Sequence, residues 1–195
     1  MHIPKVSVIM GVYNCKNVEL LWKSVQSIIN QTFTDWEFLI CNDGSTDNTL
    51  NELNKIASLD DRIRIISYSR NKGLCHALNV LIKASVGEYI ARQDDDDISY
   101  PGRLEEQINF INNNQEYVVV GTAADVYDDN GVWGDYRVIE KPTKQSFFWN
   151  SPFIHPTVMM KKQVILKGYR ESKETRRCED YDLFMDLYSQ GYKGY

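Results

Sequence analysis

Apolar residues recur along this chain in two rhythms that take turns. Val6-Ser7-Val8-Ile9-Met10 is a short apolar run of strand length, after which Leu20, Leu21, Val25, Ile28 and Ile29 return at helical spacing. The pair repeats. Trp36-Glu37-Phe38-Leu39-Ile40-Cys41 predicts a strand, Asp43-Gly44-Ser45-Thr46-Asp47 a turn with capping residues, and Leu50, Leu53, Ile56 and Ala57 a helix face. Arg64-Ile65-Ile66-Ser67, the turn Asn71-Lys72-Gly73 and a helix from Leu74 to Ala84 form a third unit, which leads into the strand Tyr89-Ile90-Ala91. Such alternation predicts an α/β fold, a mainly parallel sheet with right-handed crossovers and helices on its faces. After residue 100 the pattern is mixed. Leu104, Ile108 and Ile111 mark a helix and Val118-Val119-Val120 a strand. Asp128-Asp129-Asn130-Gly131 predicts a hairpin turn between Val126-Tyr127 and Val132-Trp133. Thr157-Val158-Met159-Met160 predicts a further strand, and Asp182 to Tyr188 a last helix that Gly191 ends.

Three polar clusters fall on successive strand ends: Tyr13-Asn14, Asn42-Asp43-Gly44-Ser45 and Asp94 to Asp97. Parallel strands bring them to one rim, where open α/β sheets bind ligands. Each cluster has a plain alternative: a packing tyrosine, an Asx turn and a solvated acidic loop. The functional readings are chemical. Asp43 can accept from the imide N–H of uracil, and Tyr13 offers a ring for a base to stack on. Four adjacent carboxylates suit a hard divalent cation, Mg²⁺ or Mn²⁺, or a pair with divided roles such as Asp94 and Asp96.

Composition narrows the choice. The chain has 195 residues, 43% of them hydrophobic, enough for one domain with a real core. A formal charge of -5 and a pI near 5.2 leave no basic stripe for a nucleic-acid backbone. Cys15, Cys41, Cys75 and Cys178 show no CxxC pair or zinc spacing, so they are expected as reduced, small core residues of a cytosolic chain. Residues 1–5 lack a signal-peptide pattern, and no apolar run approaches the ~18 residues of a membrane span. G-x-x-x-x-G-K-[ST] and G-x-G-x-x-G are absent, and Ser99 and Tyr100 stand where an EF-hand loop needs other residues.

Val6-Ser7-Val8-Ile9-Met10-Gly11-Val12-Tyr13-Asn14, Gln31-Thr32-Phe33-Thr34-Asp35-Trp36-Glu37, Asn42-Asp43-Gly44-Ser45-Thr46-Asp47, Asn71-Lys72-Gly73-Leu74, Asp94 to Asp97 and Cys178-Glu179-Asp180-Tyr181-Asp182-Leu183 come in the order of the landmarks of family 2 glycosyltransferases. The sequence resembles that family over almost its whole length. The resemblance implies a Rossmann-like GT-A fold, one catalytic domain over residues 1–195, with a nucleotide-sugar half (1–100) and an acceptor half (101–195). It implies inverting transfer from a UDP-sugar to a glycan or lipid-linked glycan hydroxyl in cell-surface polysaccharide synthesis, with Mn²⁺ or Mg²⁺ as cofactor. Asp43 and Tyr13 match the base pocket, Asp96 the metal-coordinating residue and Asp94 the ribose-side residue, with Asp95 also on the donor side. Asp180 matches the catalytic base, and Glu179 and His155 fall on the acceptor side. The expected setting is cytoplasmic, extending to the inner membrane face, with any peripheral membrane contact made through a C-terminal tail that similar chains carry.

The sequence departs from the family pattern at Gly11, where many relatives have Pro, and it lacks the Q-x-x-R-W mark of processive synthases. Lys72 and Arg92 offer charge to a diphosphate, but cations of this kind are more often ordinary surface charges, and neither is counted among the site residues. Two rival readings stand beside the transferase: a nucleotidyltransferase, whose Gly-rich basic first loop is missing at Gly11-Val12-Tyr13-Asn14-Cys15, and a catalytically silent nucleotide-sugar-binding module.

Overall fold

The computed structural model describes residues 2–175 and 177–195. Strands β1 (Val6–Val12), β2 (Trp36–Asp43), β3 (Ile63–Tyr68) and β4 (Tyr89–Arg92) run parallel, linked by α1 (Val18–Ile29), α2 (Thr49–Ala57) and α3 (Leu74–Ala84). The second half supplies α4 (Arg103–Asn113), β5 (Tyr117–Val120), the hairpin β6 (Ala124–Asp128) and β7 (Gly131–Tyr136), then β8 (Met159–Lys161), α5 (Lys162–Ile165), α6 (Glu179–Ser189) and β9 (Lys193–Gly194). The main sheet has the order β3-β2-β1-β4-β8-β5-β9, and β8 is antiparallel to β4 and β5. The sheet is mixed and mainly parallel, as the alternating pattern predicts. Strand β1 lies centrally because Val6, Val8 and Met10 enter one core layer and Ile9 the other, all of them buried. A strand covered on both faces reads as a continuous apolar run.

Order reverses between β1 and β4, since β2 and β3 lie to one side of β1 while the chain continues on the other. A crevice opens at such a switch point, outside the carboxyl ends of the strands. Tyr13 follows β1 and Asp94 follows β4, so the reversal places them at its mouth. Several expectations are corrected. Thr157 belongs to a short 3-10 turn, His155–Thr157, and β8 begins at Met159. Helix α6 starts at Glu179 rather than Asp182, and ends before Gly191, whose φ is +84°. The cysteines are free, but only Cys41 is buried; Cys15 and Cys75 are half-buried and Cys178 is exposed. No helix among the described residues is long and apolar enough to cross a membrane.

Candidate active site

Asp43 ends β2 with a buried carboxylate. Its Oδ1 accepts the backbone N–H of Lys72 at 2.8 Å, and its Oδ2 accepts from the Gly73 N–H at 2.8 Å and Asn71 Nδ2 at 2.9 Å. The aspartate therefore closes the Asn71-Lys72-Gly73 turn as well as facing the rim. Gly44 makes the approach possible: its φ is +66°, and a Cβ there would stand 2.8 Å from the Arg70 Cα, with other Arg70 and Asn71 backbone atoms closer still. Tyr13 follows β1, is 48% exposed and precedes Asn14, which ties their segment to the end of β2. Asn14 adopts φ +47°, its N–H donates to Ser45 Oγ at 2.9 Å, and its Oδ1 accepts from the Thr46 N–H at 2.9 Å.

The acidic run is held in a rigid frame. Ser24 Oγ on α1 donates to the Asp94 carbonyl at 2.7 Å, and Gln93 Nε2 donates to the Asp97 carbonyl at 2.8 Å. Beneath it, buried Arg103 donates to Gln93 Oε1, Ser99 Oγ and the Arg92 carbonyl at 2.9, 2.9 and 2.7 Å. Burial pulls this guanidinium down to about 10, with Asp97 acting the other way, so it stays charged at neutral pH. Arg92 is 1% exposed and pairs with Asp94; its Nε is a buried donor with no partner among the described residues. Two buried cations thus offset the mutual repulsion of four aspartates. Carboxylate oxygens of Asp94, Asp96 and Asp97 lie within 4.8 Å of one another. Asp95 stands outside that group. Burial first, then Asp96 and Asp94, pushes Asp95 up to about 6, and burial with Asp94 and Asp96 does the same to Asp97. Three hard oxygen donors this close, two of them half-buried, fit a small divalent cation.

The second half of the chain carries the remaining candidate residues. Asp180 lies inside the first turn of α6, whose N-cap is Cys178, so capping does not account for it. Its place in the first turn sets it at the helix's positive end. Glu179 directs one carboxylate oxygen, Oε2, into a buried position with no hydrogen-bond partner among the described residues. His155 Nε2 and the Tyr169 hydroxyl share a hydrogen bond of 2.7 Å. Burial and the nearby Arg92 charge hold that imidazole well below its usual range, so it is neutral at physiological pH. Burial chiefly pushes the Tyr169 phenol up, with Arg92 acting the other way and Asp180 and Asp94 adding to the rise. Sequence reading missed Arg92 as a buried counter-ion and missed Tyr169 entirely. The only signal for Arg92 was its place at the end of a fully apolar strand, where a cation needs a partner.

Residues 7–170 match the family described as Glycosyl transferase family 2, and the chain belongs to that family. It is 43% identical over 195 residues to the putative glycosyltransferase EpsE of Bacillus subtilis, covering 98% of this chain and 69% of that protein. It is also 34% identical over 193 residues to the O-antigen biosynthesis glycosyltransferase WbnJ of Escherichia coli, covering 95% and 72%. Among solved structures, the Pyrobaculum calidifontis mannosyltransferase in complex with GDP-Man and Mn²⁺ superposes with a TM-score of 0.75 at 17% identity, over 99% of this chain and 54% of that one. S. aureus TarS 1-349 in complex with UDP-GlcNAc gives a TM-score of 0.71 at 20% identity, over 98% and 56%. These likenesses show the GT-A fold, and the chain spans just over half the length of both solved chains.

Proposed function

We propose that this chain is the catalytic domain of an inverting glycosyltransferase that moves a sugar from a UDP donor to a hydroxyl of a glycan or lipid-linked glycan in polysaccharide synthesis. The observation that carries this reading is the cluster of Asp94, Asp96 and Asp97 carboxylates that follows β4 at the reversal of strand order, on the same carboxyl edge of the parallel strands as buried Asp43. EpsE and WbnJ, named as a putative glycosyltransferase and an O-antigen biosynthesis enzyme, support the polysaccharide setting. In this reading Asp43 accepts from the imide of uracil through the lone pair of Oδ1 that the Lys72 N–H leaves free, and Tyr13 stacks on the base. Asp96 holds Mn²⁺ or Mg²⁺ with Asp94 and Asp97 beside it. When bound, the cation neutralises charge that develops on the leaving diphosphate. Asp180 takes the proton of the acceptor hydroxyl as its oxygen attacks the anomeric carbon, and the C–O bond to the diphosphate breaks with inversion. Arg92 balances Asp94 and is too deeply buried to bind the diphosphate itself.

Asp180→Asn tests the reaction, because it keeps shape while removing the proton acceptor. Single-turnover transfer should fall roughly a hundred- to ten-thousandfold with UDP and Mn²⁺ affinity near wild type. Retention of more than about a tenth of the rate would remove Asp180 as base. Calorimetric titration with UDP and GDP tests the donor, since one solved neighbour carries GDP-Man. Equal affinity for the two nucleotides would overturn the uracil assignment.

A further inference from the structure

Asn79 sits on the face of α3 that otherwise buries Ala77, Leu78, Leu81 and Ile82. A buried amide without partners is costly, so the bonds that Asn79 makes define its task. Its Oδ1 accepts the Tyr169 N–H at 2.7 Å, and its Nδ2 donates to the Tyr169 carbonyl and to Glu171 Oε1, both at 2.9 Å. The side chain thus pairs with the peptide of Tyr169 as a neighbouring strand would. Gly168 makes room for this clamp: its φ is +72°, and a Cβ there would stand 2.8 Å from Asn79 Cγ, with Oδ1 closer still.

The three residues held in this way reach in three directions. Tyr169 bonds His155 through its hydroxyl at 2.7 Å. Arg170 Nη1 lies 3.4 Å from Asp182 Oδ1, in the first turn of α6, two residues beyond Asp180. Glu171 Oε2 lies 3.1 Å from His76 Nδ1, which returns the segment to α3, whose first residue follows the Asp43-bound turn. One short segment therefore joins the helix next to the base pocket with the helix that carries Asp180. We propose that Asn79 and Tyr169 are positioning residues for transfer, with the clamped 169–171 segment setting the first turn of α6 against the donor rim. The inference rests on the reading of Asp180 as base.

Tyr169→Phe removes one hydroxyl and keeps the ring, and Asn79→Ser removes the clamp. In each variant, kcat for transfer should fall about tenfold or more, because small misplacements of reacting groups are costly. UDP affinity with Mn²⁺ should stay within about twofold of wild type, since neither side chain touches the donor rim. Amides 179–183 of Asn79→Ser should also exchange with deuterium at least about tenfold faster, as a loosened first turn requires. Unchanged transfer in Tyr169→Phe, or equal loss of transfer and donor affinity in both variants, would overturn the proposal. A wild-type chain that binds and transfers nothing would count against the functional reading instead; hydrogen exchange then decides alone, and unaltered protection at 179–183 rejects the strut.

Discussion

Asp43 Oδ2 accepts the backbone N–H of Gly73 at 2.8 Å, so the last residue of β2 also closes the turn that begins α3. The same carboxylate accepts from Lys72 and Asn71, which leaves little of its acceptor capacity unused. The proposed role in reading the base and the observed role as a structural staple predict two losses from one substitution. Asp43→Ala should lower stability by about 2–4 kcal/mol, because buried donors lose a charged partner. It should weaken UDP binding by roughly ten- to a hundredfold. Urea unfolding and titration calorimetry on the same preparation separate the two effects, and full stability in the variant would disprove the staple.

Arg92 should be more costly to remove than its neighbours. Arg92→Met leaves Asp94 facing Asp96 and Asp97 without its counter-ion, and because Asp94 is 31% exposed the loss should fall below the roughly 3–5 kcal/mol of a fully buried pair. Arg92→Lys should recover only part of this, since an ammonium lacks the planar fork that serves Asp94 and the Gln93 carbonyl together. Equilibrium unfolding of both variants gives the comparison. A loss near zero in Arg92→Met would mean that the aspartates relax into solvent without help.

Asp95 and Asp97 make stability depend on pH in a defined direction. Both carboxyls are raised to about 6 in the fold, above the ordinary value of 3.8. Between these values the folded state holds more protons than the unfolded one, so stability is greatest below the lower pKa and declines as pH rises to about 6. A divalent cation held by Asp94, Asp96 and Asp97, as proposed, would compete with the proton on Asp97. Mn²⁺ should therefore raise the melting temperature more at pH 7.5 than at pH 5.5, by differential scanning fluorimetry; an equal rise at both would contradict the raised carboxyls.

Gly44→Ala should damage the base pocket without touching a functional side chain. A left-handed φ of +66° costs a non-glycine residue about 1–3 kcal/mol, and the added Cβ meets the Arg70 and Asn71 backbone. The turn that Asp43 holds must move. Thermal unfolding should drop, and UDP affinity should fall with it; a variant as stable and as tight-binding as wild type would show the turn to be freely displaceable.

The alternation of strand-length apolar runs and helical periodicity was enough to determine the α/β layering, and the positions of Tyr13, Asp43 and Asp94 to Asp97 at strand ends followed from it. Period-two and period-3.6 patterns are local properties, set by how each segment must bury its own face. The turn at Asn71-Lys72-Gly73 was legible for the same reason, but its bond to Asp43 was not, because 30 residues separate Asp43 from Gly73. The acidic residues Glu179, Asp180 and Asp182 fit a loop as well as a first helical turn, so the start of α6 at Glu179 was not legible from local pattern. The antiparallel insertion of β8 beside β4, the burial of Arg92 and the Asn79–Tyr169 clamp were decided by tertiary structure alone. Each depends on partners far away in sequence, such as the 90 residues between Asn79 and Tyr169, and no local pattern records which distant group will satisfy a buried charge or amide.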